Sequence, residues 1–362
     1  MFVPIQAIPY VRLAKRLFSG QGSLQSIACR QDTLCPGEKT TLRPAVFLPG
    51  QLDRIIRFKP TDAVAVTTKA GEIAEAIATT VVHAPTIAYH IKDAILFDGS
   101  FYAGRFKHPI ADLSLFNSDR QKPIHIKSCA LASSYLGTKF FYHWLADDCT
   151  RYLLAEEVGT PLRLRMPAYG HLQNYQTYFN EDWTPTDRAY IDHLVVFQDF
   201  SQNSLKRERY KILRDRVKAH FFANDRVTAR DTKVYLKRGR TGAARAIQNE
   251  DEIISALTKL GFMVVDIKSD TLEHMIATLL KAKIVVSLEG SHIAHCTFTS
   301  PEHSGLLVLQ PPDRFSALHR SWAECLGVRF GFVVGSVSEA GYCFSVPEIL
   351  RTIDLLLGEL EA

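Results

Sequence analysis

The chain has 362 residues, 46% hydrophobic and 22% charged, with 20 glycines and 16 prolines, which excludes collagen-like, low-complexity and disordered chains. No apolar run reaches the roughly 18 residues that a membrane-spanning helix needs, and seven cysteines without a C-x-x-C pair exclude a zinc ribbon or thioredoxin-type site and fit a reducing, cytoplasmic compartment. The net charge of +5 is unevenly spread: residues 204–245 hold fourteen Lys or Arg against four Asp or Glu, which either meets an anionic partner or forms a solvated helix face over Lys206 to Lys218.

The first twenty residues mix Arg12, Lys15 and Arg16 with apolar residues and lack both a continuous apolar stretch and a small-residue cleavage site. They predict a short helix, buried or resting on a membrane surface, rather than a secretory signal. Residues 63–66, 79–83 and 94–97, the last with Phe101 and Tyr102, predict short strands, and Asp98-Gly99 predicts a turn. A helix follows over 139–157. Residues 205–223 predict a basic amphipathic helix, with Leu213, Val217 and Phe221 at i, i+4 spacing. At this length two domains are expected, and that helix is suited to bridge them.

The second half alternates. A strand at 233–237 breaks into a loop at Gly239, Thr241 and Gly242; Asn249 with Glu252 three residues on starts a helix carrying Ile253, Ile254, Leu257 and Leu260, and Gly261 stops it. Strands follow at 262–265, 283–288, 305–309 and 328–334. Between them lie a helix marked by Met275, Ile276, Leu279 and Leu280 and another by Phe315, Leu318, Trp322 and Leu326. Such alternation predicts parallel β-α-β units and a Rossmann-like domain over about 225–340. Neither G-x-G-x-x-G nor G-x-x-x-x-G-K-[ST] occurs, which argues against dinucleotide and ATPase chemistry.

Three stretches carry chemistry. In Phe140-Phe-Tyr-His-Trp-Leu-Ala-Asp-Asp148, His143 and Asp147 are four apart and share a helix face. A carboxylate beside an imidazole fixes its tautomer and makes it a base, with Tyr142 and Trp144 available to stack on a sugar. The plain alternative is an aromatic helix with a structural His–Asp bond. Lys237-Arg-Gly-Arg240 through Arg245, Asn249 and Glu250 is a basic loop between strand and helix, able to gather cations and backbone N–H groups around a diphosphate, or simply solvated. Ser287-Leu-Glu-Gly-Ser-His292 ends a strand in Gly290-Ser291, a geometry for close approach of an anion. His292, His295, Cys296 and His303 match no zinc spacing, and Ser291 lacks the G-x-S-x-G context of a nucleophile.

Together these stretches resemble family 61 glycosyltransferases, the group that includes bacterial capsule-type enzymes and eukaryotic O-GlcNAc and xylosyl transferases. The resemblance rests on F-x-H-W-L-x-D at Phe141 to Asp147, on R-x6-R-x3-N-E at Arg238, Arg245, Asn249 and Glu250, and on G-F-x-V-V at Gly261 to Val265. It implies an α/β fold of GT-B type, two Rossmann-like domains facing across a cleft. Residues 1–222 would bind the acceptor, with the basic helix of about 205–222 as bridge. Residues 223–345 would bind the nucleotide sugar, and the helix of 346–362, through Ile349, Leu350, Ile353, Leu356 and Leu357, would pack back on the N-terminal domain. The implied reaction is inverting transfer from a nucleotide sugar to an acceptor hydroxyl in surface polysaccharide or glycoconjugate synthesis.

In that reading His143 or Asp147 is the base, Tyr142 and Trp144 line the acceptor, and Arg238 and Arg245 hold the diphosphate. Asn249, Glu250, Glu289, Gly290, Ser291 and His292 complete the donor site, with Glu250 or Glu289 on ribose hydroxyls. No cofactor or metal is expected, since D-x-D is absent and arginine can neutralise the leaving phosphate. The implied partners are a nucleotide sugar, a glycan or lipid-linked glycan acceptor and the inner face of a membrane, but not nucleic acid, because the basic run has few interleaved aromatics. One departure stands out: the family commonly reads H-G-A-G-L-T-N where this chain reads Glu289-Gly-Ser-His-Ile-Ala-His295. Glutamate removes a phosphate donor and adds negative charge, which favours the alternative of a catalytically inactive nucleotide- or sugar-binding subunit.

Overall fold

The computed structural model describes residues 22–56, 68–111, 122–167, 169–222, 231–238, 245–339 and 341–361. The N-terminal stretch through Gly20, the expected strand at 63–66 and the loop glycines Gly239 and Gly242 lie outside them. The described residues form two compact units, one within Met1–Glu38 and His83–Leu213, the other within Lys39–Val82 and Arg214–Ala362. The chain therefore crosses between units three times, the last time inside the basic helix Ser204–Phe221.

The first unit holds a seven-stranded sheet built from β1 (Arg30–Cys35), β2 (Thr86–Phe97), β3 (Ser100–Ala103), β4 (Phe106–Pro109), β5 (Ile124–Leu131), β6 (Pro161–Leu162) and β7 (Arg188–Gln198). Its order is β4-β3-β2-β7-β5-β6, with β1 paired to β2. The β2–β3 hairpin turns at Asp98-Gly99, both with positive φ (39° and 76°), the geometry that keeps twisted strands paired across two residues. β2 and β7 pair antiparallel from Ile87↔Gln198 to Phe97↔Arg188, whereas β5 runs parallel to β7 and β6. Alternate residues of β7 bury on opposite faces: Leu194 and Val196 pack with Ile91 and Phe101, while Val195 and Phe197 pack with Tyr152 and Leu154. This mixed sheet corrects the expectation of two Rossmann-like domains. Antiparallel pairings build most of it, so only the second unit has that topology.

In the second unit, β8 (Thr232–Lys237), β9 (Phe262–Asp266), β10 (Ala282–Leu288), β11 (Ser304–Gln310) and β12 (Val328–Val334) form an all-parallel sheet ordered β9-β8-β10-β11-β12. Every residue of β11 and β12 is buried, as expected of strands covered on both faces.

Two boundaries differ from the sequence reading. The segment 39–82 belongs to the second unit. Val46 bridges β12, its N–H donating to Phe330 O at 2.9 Å and its carbonyl accepting from Phe332 N at 3.0 Å. Arg320, buried in the same unit, donates to Arg43 O (2.6 Å), Ala78 O (2.5 Å) and Glu75 O. The C-terminal helix Val346–Glu361 also stays in its own unit, because Ile349, Ile353 and Leu356 bury against Leu307, Leu309 and Val333. Among the described residues no helix is long and apolar enough to cross a membrane.

Candidate active site

The helix expected over 139–157 runs from Phe141 to Val158 with a π-helical turn at Trp144–Asp148, where Cys149 N–H donates to Trp144 O, an i→i−5 bond. Thr150 Oγ caps the carbonyls of Ala146 (3.0 Å) and Asp147 (2.9 Å). His143 and Asp147 do meet, Nδ1 to Oδ2 at 2.7 Å. The second carboxylate oxygen, Oδ1, accepts from the ammonium of Lys206, which reaches in from the basic helix and also donates to Asp199 O at 3.3 Å. Burial would raise the Asp147 pKa, but the Lys206 charge and the His143 hydrogen bond outweigh it and hold the carboxyl well below its usual range. Asp147 therefore stays an anion, and a carboxylate that weakly basic does not take a proton at neutral pH. Its charge orients Nδ1–H of His143 and leaves the lone pair on Nε2. The side chain of His143 is 21% exposed against 7% for Asp147 and 0% for Lys206, so the imidazole is the reachable end of this chain.

The basic helix is thus solvated on one side only, with Lys211 exposed. Lys206, Arg209 and Arg214 are all buried, and Arg209 makes a two-pronged bond to Asp199 at 2.9 and 2.7 Å. Beside it, Asp148 is held by Ser134 N–H (3.0 Å), Ser134 Oγ (2.6 Å) and Arg151 (2.7 Å), and Arg163 pairs with Glu181 at 2.6 Å. Buried charges of this kind persist only when each is paired. Tyr142 and Trp144, expected to line the acceptor, are 3% and 1% exposed, and the Trp144 ring packs against Phe141, Tyr169 and Tyr175. Neither ring face is open to a sugar. They form the packing behind His143.

In the second unit the order β9-β8-β10-β11-β12 reverses direction between β8 and β10, and ligands in such sheets bind at the carboxyl ends of the strands at that reversal. Arg238 directly follows β8, and Glu289-Gly290 directly follow β10. A Cβ on Gly290 would lie 3.0 Å from His292 Nδ1 and 3.1 Å from Arg238 Nε, which explains the glycine and shows how closely the three converge. Arg245 donates to Glu289 O at 2.6 Å and to its carboxylate. Burial and the charge of Arg245 pull Arg238 down to about 10, partly offset by Glu289. Arg245 is lowered by burial and by half-buried Arg314, again offset by Glu289. Among the described residues, the guanidinium groups of Arg238, Arg245 and Arg314 outnumber the Glu289 carboxylate and leave this corner cationic. The glutamate that departs from the family pattern is neutralised by Arg245.

The remaining expected donor residues divide. His292 is buried and bonded through Nε2 to Ser287 Oγ at 2.8 Å. Ser291 is exposed beside it. Asn249 does not face this corner: its amide clamps the backbone of Phe344, donating to O at 2.8 Å and accepting from N at 3.1 Å. Glu250 accepts from Tyr235 Oη at 2.9 Å and lies 3.9 Å from Lys237. The sequence reading missed Lys206 as a partner of Asp147 and Arg314 with Tyr342 beside the arginines. All three are distant in sequence from the groups they meet, and no local spacing could have marked them.

Residues 141–307 match the family described as Glycosyltransferase 61. No curated protein matches the chain. Among solved structures, a mutant flavo di-iron protein from Thermotoga maritima is similar at 13% identity with a TM-score of 0.27, over 60% of this chain and 52% of that one. This chain thus spans about half of that structure's length, and a likeness that faint carries no argument.

Proposed function

We propose, from the match of residues 141–307 to the family described as Glycosyltransferase 61, that the chain is a family 61 glycosyltransferase that transfers a sugar from a nucleotide-sugar donor to an acceptor hydroxyl, with inversion, in surface polysaccharide or glycoconjugate synthesis. The observation that carries this reading is the cationic corner at the strand reversal of the second unit, where Arg238 and Arg245 converge beside Gly290. Buried guanidinium groups stabilise the diphosphate as the glycosidic bond breaks and its charge grows, without metal or cofactor. His143, oriented by Asp147, removes the proton of the attacking hydroxyl through Nε2 as the anomeric carbon gains oxocarbenium character. A division of labour is part of this reading: base and glycan acceptor on the first unit, nucleotide sugar on the second. Work at the inner, cytoplasmic face of a membrane, on a lipid-linked acceptor, belongs to the same proposal.

The test is a melting-temperature screen against nucleoside diphosphates and CMP, followed by turnover with the matching nucleotide sugars. A true donor nucleotide raises Tm because it binds only the folded state. Arg238→Ala and Arg245→Ala should weaken its binding by about 1.5–3 kcal/mol each, the worth of a hydrogen bond to a charged group. His143→Ala should leave that binding intact and lower kcat by roughly 10²–10⁴. If no nucleotide shifts Tm and none is released from any nucleotide sugar, the proposal fails. Tight nucleotide binding with neither transfer nor hydrolysis would assign the inactive binding subunit instead.

A further inference from the structure

His292 carries a buried hydrogen-bonding group of defined polarity. Its Nε2 lies 2.8 Å from Ser287 Oγ, and that same hydroxyl lies 2.7 Å from Leu236 O. A carbonyl only accepts, so the one hydroxyl proton of Ser287 goes to Leu236 O. Ser287 must then accept from His292, which places the imidazole proton on Nε2. Burial, and next the charge of Arg238, depress the His292 pKa well below its usual value, so the ring is neutral and Nδ1 is a bare acceptor. That nitrogen is buried and has no partner among the described residues. An orphaned buried acceptor is expensive unless something donates to it.

What donates follows from the neighbouring group. The side of Gly290 where a side chain would project is faced by His292 Nδ1 and by Arg238 Nε, at 3.0 and 3.1 Å from the Cβ position. One is an acceptor and the other a donor. A phosphate oxygen only accepts and would set its lone pair against that of Nδ1; an ammonium only donates and would oppose the guanidinium. A hydroxyl does both. We propose that His292 is a specificity-determining residue that accepts a hydrogen bond from a hydroxyl of the bound nucleotide sugar, beside the Arg238 guanidinium. This rests on the donor-site reading above and gives His292 a definite part in it, the reading of a hydroxyl. The hydroxyl belongs either to the ribose or to the transferred sugar.

Two substitutions separate the recognition from the fold. His292→Gln can keep the bond to Ser287 through its amide N–H but removes the acceptor at the Nδ1 position. His292→Asn can restore an acceptor near that position through Oδ1. Calorimetry on each variant would use the nucleoside diphosphate found in the Tm screen, its 2′-deoxy and 3′-deoxy forms, and the matching nucleotide sugar. His292→Gln should weaken binding about 3–10-fold, the worth of one neutral hydrogen bond, and His292→Asn should recover most of it. Equal losses for the diphosphate and the nucleotide sugar, cancelled in one deoxy form, identify the ribose. A loss confined to the nucleotide sugar identifies the transferred sugar. Wild-type affinities for every ligand in His292→Gln, or an undiminished loss with both deoxy forms and the sugar alike, would overturn the proposal while leaving the donor site standing. Failure of all nucleoside diphosphates to bind the wild-type protein would overturn both.

Discussion

Asp147 shows how one distant side chain changes what a local motif can do. The i, i+4 pair with His143 is symmetric on paper, since either group could be the base. Lys206 breaks that symmetry by pairing with the Asp147 carboxylate and holding it ionised, which leaves the imidazole as the more exposed member of the pair. Removing the lysine strands a buried carboxylate, so Lys206→Met should destabilise the protein by about 3–5 kcal/mol, and Asp147→Asn in the same chain should recover much of that loss. The pH dependence has a definite sign. A carboxyl whose folded pKa is depressed contributes stability above its unfolded value of roughly 4 and loses it as pH falls toward the folded pKa. Urea melts should therefore separate wild type from Asp147→Asn at pH 7, and the gap should narrow below about pH 4. A gap that stays constant with pH would show that Asp147 is not held ionised by Lys206.

The helix that carries the pair depends on close packing against the turn before it. The short helix Tyr135–Lys139 is capped by Ser134, whose Oγ accepts from Gly137 N–H at 3.1 Å while donating to Asp148. A Cβ on Gly137 would overlap the Asp148 carboxylate. That carboxylate cannot step aside without breaking its bonds to Ser134 and Arg151. Helix propensity alone would favour Gly137→Ala by up to about 1 kcal/mol. Overlap with a fixed buried ion costs more, so the expected outcome is a net loss of about 1–3 kcal/mol, read from denaturant midpoints. A stabilised Gly137→Ala would show that Asp148 has room to move.

Neither unit is a continuous piece of chain. The second unit takes Lys39–Val82 from the N-terminal half, and that segment supplies the Val46 bridge to β12, the Gln51 Oε1 acceptor for Val334 N–H at 2.5 Å and the two-pronged Arg54–Glu348 bond at 2.6 Å. A fragment cut where the sequence suggests, residues 223–362, lacks all of these and bares the edge strand β12. It should therefore melt well below a version in which residues 39–82 are joined to 214–362 by a linker, the difference being visible in circular-dichroism melts. Equal melting temperatures would mean that 39–82 merely lies on the unit and does not stabilise it.

The order of strands and helices from β8 to the C-terminal helix was readable from apolar periodicity, because in a parallel sheet each strand is a short buried run and each covering helix has one apolar stripe. The His143–Asp147 pair was readable for a similar reason, since both groups lie on one helix face, whereas the arginine-rich loop was readable only as a local run of cations, its partners Glu289, Arg314 and Tyr342 lying far along the chain. The mixed sheet of the first unit was not legible, since Thr86–Phe97 and Arg188–Gln198 pair across some hundred residues and nothing local records which strand a strand will meet. The assignment of 39–82, the burial of Lys206, Arg209 and Arg214 within a helix that reads as solvated, and the bare Nδ1 of His292 were equally hidden. Each is set by a partner far along the chain. Sequence alone determined the local elements and the residue types able to do the chemistry; long-range pairing and burial decided which of those residues are ionised, which are reachable and which serve only to hold the others in place.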